Sequence, residues 1–185
     1  MNGKMLIAGL LVFLAIQSYS QSSSLPAPHL KIGLGYFSEM VLYPGLVLEV
    51  EREKMQSDKI SLPQRANLGF YNHPRNHMGF FFDIHQGTRR YFKSGFMLES
   101  AVGLGALVPF YNKDVWKVDE NGSVSKASKF GGVDLMPSIT LGIGFRLNKE
   151  TNSLIALRPK IFWQFPYNQR ALPHSAFQLI YVHTL

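Results

Sequence analysis

The sequence contains no cysteine. That absence removes disulfides, thiolate metal sites and a lipid-modified N-terminal cysteine as ways of fastening the chain to itself or to a bilayer. It also lacks any apolar run of the ~20 residues that a membrane-crossing helix needs. A chain built this way crosses a membrane only as a closed barrel. The six histidines, at positions 29, 73, 77, 85, 174 and 183, are scattered and offer no helical metal-binding pair, so no cofactor is expected. Lys and Arg outnumber Asp and Glu by 19 to 12, a net charge of +7. These basic residues are spread singly rather than gathered with stacking aromatics, which speaks against a nucleic-acid partner. They fit a surface near anionic lipid headgroups or a charged barrel interior.

What is present first is a leader. Lys4 supplies a positive charge, Met5 to Ile16 is apolar throughout, and Ser18-Tyr19-Ser20 places small residues where a signal peptidase reads. Residues 1–20 are therefore expected to be a signal peptide. Residues 21–185 then form one domain whose net charge, without Lys4, is +6.

Period-two alternation fills the rest. Leu30, Ile32, Leu34 and Tyr36 alternate with Lys31, Gly33, Gly35 and Phe37. Comparable runs surround Leu46–Val50, Ala66–Phe70, Met78–Ile84, Phe96–Ala106, Ile139–Phe145, Ile155–Trp163 and Phe177–Tyr181, so eight strands are expected. Glycine decides which face meets what. Gly33, Gly35, Gly69, Gly79, Gly95, Gly103, Gly105, Gly142 and Gly144 all fall opposite the apolar face. In a soluble sandwich that face would lie in water and the glycines would have no packing reason. In an eight-stranded barrel it lines a lumen just wide enough for side chains, where small residues must sit beside bulky ones. The expected fold is an all-β, eight-stranded antiparallel up-and-down transmembrane barrel.

With the N-terminus of the barrel in the periplasm, odd-numbered connections face outward and even-numbered ones are short. Asn148 to Asn152 is short and polar. The fifth connection, Tyr111 to Gly132, is the longest and carries a hairpin signal at Asn121-Gly122. The seventh, Phe165 to Ser175, is expected to be a long external loop, and the first to be a compact turn around Tyr43-Pro44-Gly45.

The segment from Gly87 to Gly105, with Arg89-Arg90-Tyr91, a short turn, Leu98-Glu99 and spaced glycines, resembles the hairpin of small Bacteroidetes-type outer-membrane β-barrel proteins. At the C-terminus Phe177, Leu179, Tyr181, His183 and Leu185 alternate to the last residue, similar to the signal read by barrel-assembly machinery, with Leu in place of the usual Phe. The resemblance implies an outer-membrane location, with outer-membrane lipid, lipopolysaccharide and the assembly machinery as partners. It leaves the activity and the external ligand open.

Two functions follow. In a non-enzymatic barrel, inward Glu49, Asp83 and Glu99 meet Lys31, Arg65, Arg146, Arg158 and Lys160 in a charge network that plugs the lumen. The alternative is a lipid A-modifying outer-membrane enzyme of deacylase or acyltransferase type, which needs a base within reach of a hydroxyl. His174-Ser175 is the tempting pair, yet strand neighbours point to opposite faces.

Overall fold

The computed structural model describes residues 29–119, 121–147, 152–167 and 170–185. The expected signal peptide and most of the Asn148 to Asn152 connection lie outside them. The alternation becomes strands β1 (His29–Glu39), β2 (Tyr43–Met55), β3 (Ile60–His73), β4 (His77–Tyr91), β5 (Phe96–Tyr111), β6 (Val115–Val118), β7 (Val124–Ala127), β8 (Asp134–Leu135), β9 (Ser138–Arg146), β10 (Leu154–Tyr167) and β11 (Arg170–Thr184). Successive barrel strands pair antiparallel and β11 returns to β1, closing the sheet on itself, while β6 and β7 pair apart from it. β8 and β9 together make one barrel strand, since both pair with β5 on one side and β10 on the other. Across the Met136-Pro137 break the ladder continues: Met136 N–H donates to Gly105 O at 2.7 Å, and Trp163 N–H donates to Pro137 O at 3.0 Å. The barrel thus has the eight strands that the alternation predicts.

One pairing row, followed from Leu30 through Arg52, Gln64, Gln86, Val102, Ile139 and Ile161 to Ser175, does not return to its start. It arrives at Met40, whose N–H donates to Ser175 O at 2.8 Å, ten residues further along the chain. That stagger tilts the strands by roughly 35–45° to the barrel axis and fixes a bore that side chains can fill. β1 begins and β11 stops at the same end, here the near end. The β6–β7 hairpin rises from the far end.

The chain is apolar outside and polar inside. Leu34, Leu68 and Leu141 are 59%, 59% and 60% exposed, whereas Lys31, Asp83 and Arg158 are fully buried. Aromatic pairs edge the apolar wall as girdles do: Tyr36 with Phe177 (5.9 Å) and Phe70 with Phe80 (6.2 Å) toward the far end, Phe96 with Phe145 (5.5 Å) at the near end. The lumen glycines make room for particular neighbours. A Cβ on Gly69 would lie 2.5 Å from the Phe81 ring, on Gly103 2.5 Å from the His85 ring, and on Gly142 2.5 Å from Glu99 Cγ.

Three sequence expectations are corrected. Gly95 does not line the lumen; it turns the chain between β4 and β5 with φ +87°, which its missing Cβ permits. The first turn is Met40 to Leu42, and Tyr43-Pro44-Gly45 already belongs to β2. The seventh connection is no long loop, because β10 and β11 stay paired as far as Gln164 with Leu172 and, beyond an irregularity, Tyr167 with Arg170. The hairpin read at Asn121-Gly122 is present: Asp119 Oδ1 accepts from the N–H groups of Asn121 (3.1 Å) and Ser123 (2.8 Å), and Gly122 has φ +78°. At its base Lys126 Nζ lies 3.0 Å from Asp114, and its hydrogen bond holds that carboxyl below the usual range.

The phase of the alternation is open to a paired test. Leu141→Arg places a charge on the apolar wall and is expected to cost ~2–4 kcal/mol near a bilayer midplane. Its neighbour Gly142→Leu is expected to fail by crowding Glu99. Folding yield into phospholipid vesicles measures both, and an undiminished yield for Leu141→Arg would invert the phase.

Candidate functional site

The middle of the lumen holds five carboxylates, Glu49, Glu51, Glu53, Asp83 and Glu99, and five basic side chains, Lys31, Arg65, Arg89, Arg158 and Lys160, each at most 6% exposed, while Glu39 and Asp134 are buried nearer the far end beside His174 and Gln164. Equal numbers matter, because a buried charge without a partner costs several kcal/mol, roughly what breaking a buried pair costs. Alternation on eight tilted strands turns all ten side chains into one bore.

Glu99 is the hub. Its Oε1 lies 2.7 Å from Arg65 Nη1 and 2.5 Å from Arg158 Nε, and its Oε2 lies 2.8 Å from Arg89 Nη2. Arg89 continues the network, donating to Glu51 with both terminal nitrogens (2.8 and 2.6 Å) and to Glu53 at 3.0 Å. Such fork-to-carboxylate geometry is the strong form of the charged hydrogen bond. Glu53 also takes Lys31 at 2.5 Å, the Tyr91 hydroxyl at 2.6 Å and the Ser61 hydroxyl at 2.5 Å. Arg158 Nη1 donates to Glu49 at 2.6 Å. Further toward the far end Asp83 is bound by Lys160, by His85 Nε2 at 2.9 Å and by Asn67 Nδ2 at 2.8 Å.

Above this layer Phe37, Tyr71, Phe81 and Phe162 are buried side by side, with Phe37 and Phe81 centroids 4.7 Å apart. A rim of polar groups follows. Tyr43 stacks on His73 at 3.8 Å, His73 faces His77 across β3 and β4, and His174 Nδ1 lies 2.9 Å from Glu39 Oε1.

Of the eight residues expected to meet in the lumen, the structure joins Lys31, Glu49, Arg65, Glu99 and Arg158 through one set of ion pairs and Asp83 with Lys160 in a second. Arg146 is the exception. It shares the inward face but sits at the end of β9, half-buried, with its guanidinium 3.8 Å over the Tyr91 ring, a cation–π contact and not an ion pair. Sequence reasoning missed Arg89, Glu51 and Glu53 as network members. A longer count of the same inward parity would have found them, since Glu51 and Glu53 follow Glu49 by two and four residues and Arg89 follows His85 by four.

The two serine–histidine contacts of interest fall short of a catalytic arrangement. His174 turns inward and stacks on Phe162 at 4.7 Å while Ser175 is exposed on the outer wall, as alternation requires. Ser153 Oγ lies 3.1 Å from His183 Nδ1, but that nitrogen also meets the Tyr181 hydroxyl at 3.4 Å. Among the described residues no carboxylate meets the other nitrogen of His183, where a serine–histidine–aspartate triad has the group that orients its base.

No known protein family matches the chain, and no curated protein does. Solved structures do. The chain superposes on Neisserial surface protein A with a TM-score of 0.54 at 11% identity, covering 88% of this chain and 99% of that one. It superposes on Ail, the attachment invasion locus protein of Yersinia pestis, with a TM-score of 0.51 at 10% identity, covering 86% and 100%. At such identity the likeness is one of fold. The chain has the fold of the small eight-stranded transmembrane β-barrels, with buried ion pairs in its lumen.

Glu99→Ala leaves three guanidiniums short of a carboxylate and is expected to destabilise the barrel by ~3–5 kcal/mol. Arg146→Ala removes one cation–π contact and is expected to cost ~1 kcal/mol. Urea unfolding in detergent, followed by Trp fluorescence, separates the two; equal losses would mean that Glu99 is no hub.

Proposed function

We propose that this protein is a non-enzymatic outer-membrane barrel whose lumen is plugged and whose working surface is the set of far-end hairpins facing outside the cell. The observation that carries this reading is the side-chain-filled bore: five buried carboxylates paired with five buried basic groups, in two connected sets, beneath a layer of four aromatic rings. A conduit needs hydrated space, and here paired side chains occupy it. The exposed apolar wall supplies a bilayer-facing surface, and the leader sequence supports export. The resemblance of the Gly87 to Gly105 segment to Bacteroidetes-type barrels supports the outer membrane. Lipid and lipopolysaccharide surround the wall in that setting, and barrel-assembly machinery inserts the chain. The role is structural or one of surface interaction, since exposed apolar and basic groups, among them Trp116 (60%), Val118 (69%) and Lys126, project on the β6–β7 hairpin.

Two measurements test it. The unmodified protein is expected to give no steady ion conductance in a planar bilayer and to migrate differently on a denaturing gel before and after boiling. A stable ion-selective current would make it a channel. For orientation, protease added to intact cells is expected to cut first among Lys113, Lys117, Lys126 and Lys129, in the far-end connection. Protection there with cleavage at Lys149 would reverse the topology.

A further inference from the structure

The outer wall is not uniformly apolar. On β9, β10 and β1 the outward residues nearest the near end are Phe145 and Ile143, Ile155 and Leu157, and Leu30 and Ile32, while β11 carries one polar group there, His183, ahead of Tyr181 and Leu179. On β2, β3, β4 and β5 polar groups intrude at the same end. Arg52 pairs across strands with Gln64, Gln64 with Gln86, and Thr88 with Ser100. Because the pairing row climbs as it crosses these strands, the polar wedge rises from the edge of the apolar belt into it. Gln64 Nε2 donates to Gln86 Oε1 at 2.9 Å, so the two amides hold each other side by side on the wall. Beside them lies a groove of about 310 Å³, whose outer lining is Arg52, Gln64 and Gln86 toward the near end and Val50, Ala66 and Ile84 toward the middle of the belt. The small Ala66 side chain makes the notch between the two larger aliphatic ones. The β3–β4 ladder is interrupted next to it, where Pro63 has no N–H to give.

The polarity of this groove has a direction. Its cationic and amide end points out of the membrane at the near end, and its apolar end points toward the midplane. A lipid of the leaflet at that end has the same order, phosphate first and acyl chain inward. We propose that the groove is a specific binding site for one anionic phospholipid of the near-end leaflet. Arg52 takes the phosphate, for which a guanidinium fork is suited. Gln64 and Gln86 face the glycerol ester carbonyls, and one acyl chain lies over Ala66 between Val50 and Ile84. Facing hydrocarbon alone, the amide pair would be a costly feature of the wall; against a headgroup and its esters it has partners. The site rests on the membrane-barrel reading given above.

Native mass spectrometry of the full chain in detergent, titrated with phosphatidylglycerol, tests the site. One lipid is expected to be retained at low molar ratio. Arg52→Gln is expected to weaken that retention about fivefold, the factor that corresponds to ~1 kcal/mol for one basic residue near an anionic headgroup. Ala66→Leu fills the notch with a side chain that suits the wall and is expected to abolish the single adduct. Leu157→Ala, on another part of the wall, leaves retention unchanged. Equal retention in Arg52→Gln and Ala66→Leu, or a graded series of adducts with no tight first lipid, overturns the site. So does a photoreactive residue at Gln86 that links to a protein and not to lipid in intact membranes. Failure of the barrel reading shows itself differently, as a protein that needs no detergent.

Discussion

Charge pairing in a closed bore is the constraint on which the rest of the structure depends. A carboxylate such as Glu99, 6% exposed, is tolerable only because Arg65, Arg89 and Arg158 all reach it. The three guanidiniums come from β3, β4 and β10 and must arrive at one height, which only the observed stagger of the strands allows. They also need space, and Gly142 beside Glu99, like Gly103 beside His85, gives it by having no side chain. Charge pairing, stagger and glycine placement are therefore one condition expressed three times.

The wall obeys the opposite rule. Outward side chains make few demands on one another and only have to be apolar over the depth of the hydrocarbon, so leucine, isoleucine, valine and phenylalanine interchange freely along it. Specificity of fold thus resides in the polar interior, the reverse of a water-soluble domain, where a jigsaw of apolar groups sets the structure. Buried ion pairs are weak evidence for stability in a soluble core. Here they also stand where a soluble core would have aliphatic packing.

Legibility in the sequence follows from that contrast. Strands are easy to read where the outward face is apolar and the inward face is polar or glycine, which is why Lys31, Glu49, Arg65, Asp83, Glu99, Arg158 and Lys160 could be assigned to the lumen beforehand. The signal fades where a strand leaves the hydrocarbon or meets a headgroup. There Arg52 and Lys54 flank Glu53, and Thr88 and Arg90 flank Arg89, so both faces are polar and the period disappears. The far ends of β10 and β11 are hidden for a second reason, since Pro166 and Pro173 read as loop punctuation although the ladder continues past them. Arg146 was assigned the correct face, but parity carries no information on height, and it ends against the Tyr91 ring at the near end. The polar wedge around Gln64 and Gln86 was invisible for the same reason, being a property of four neighbouring strands and not of any one.

The pairing of β1 with β11 joins Lys31 to Thr184, nearly the whole described chain apart in sequence. Contacts between such distant residues form slowly, because a long loop must close before any ladder bond rewards it. Once made, the seam leaves no strand edge in the hydrocarbon to recruit another. In a crowded membrane sheet, where barrels press wall against wall, neighbouring copies of this protein can touch without hydrogen-bonding through their backbones, so density alone does not drive them to aggregate through their strands.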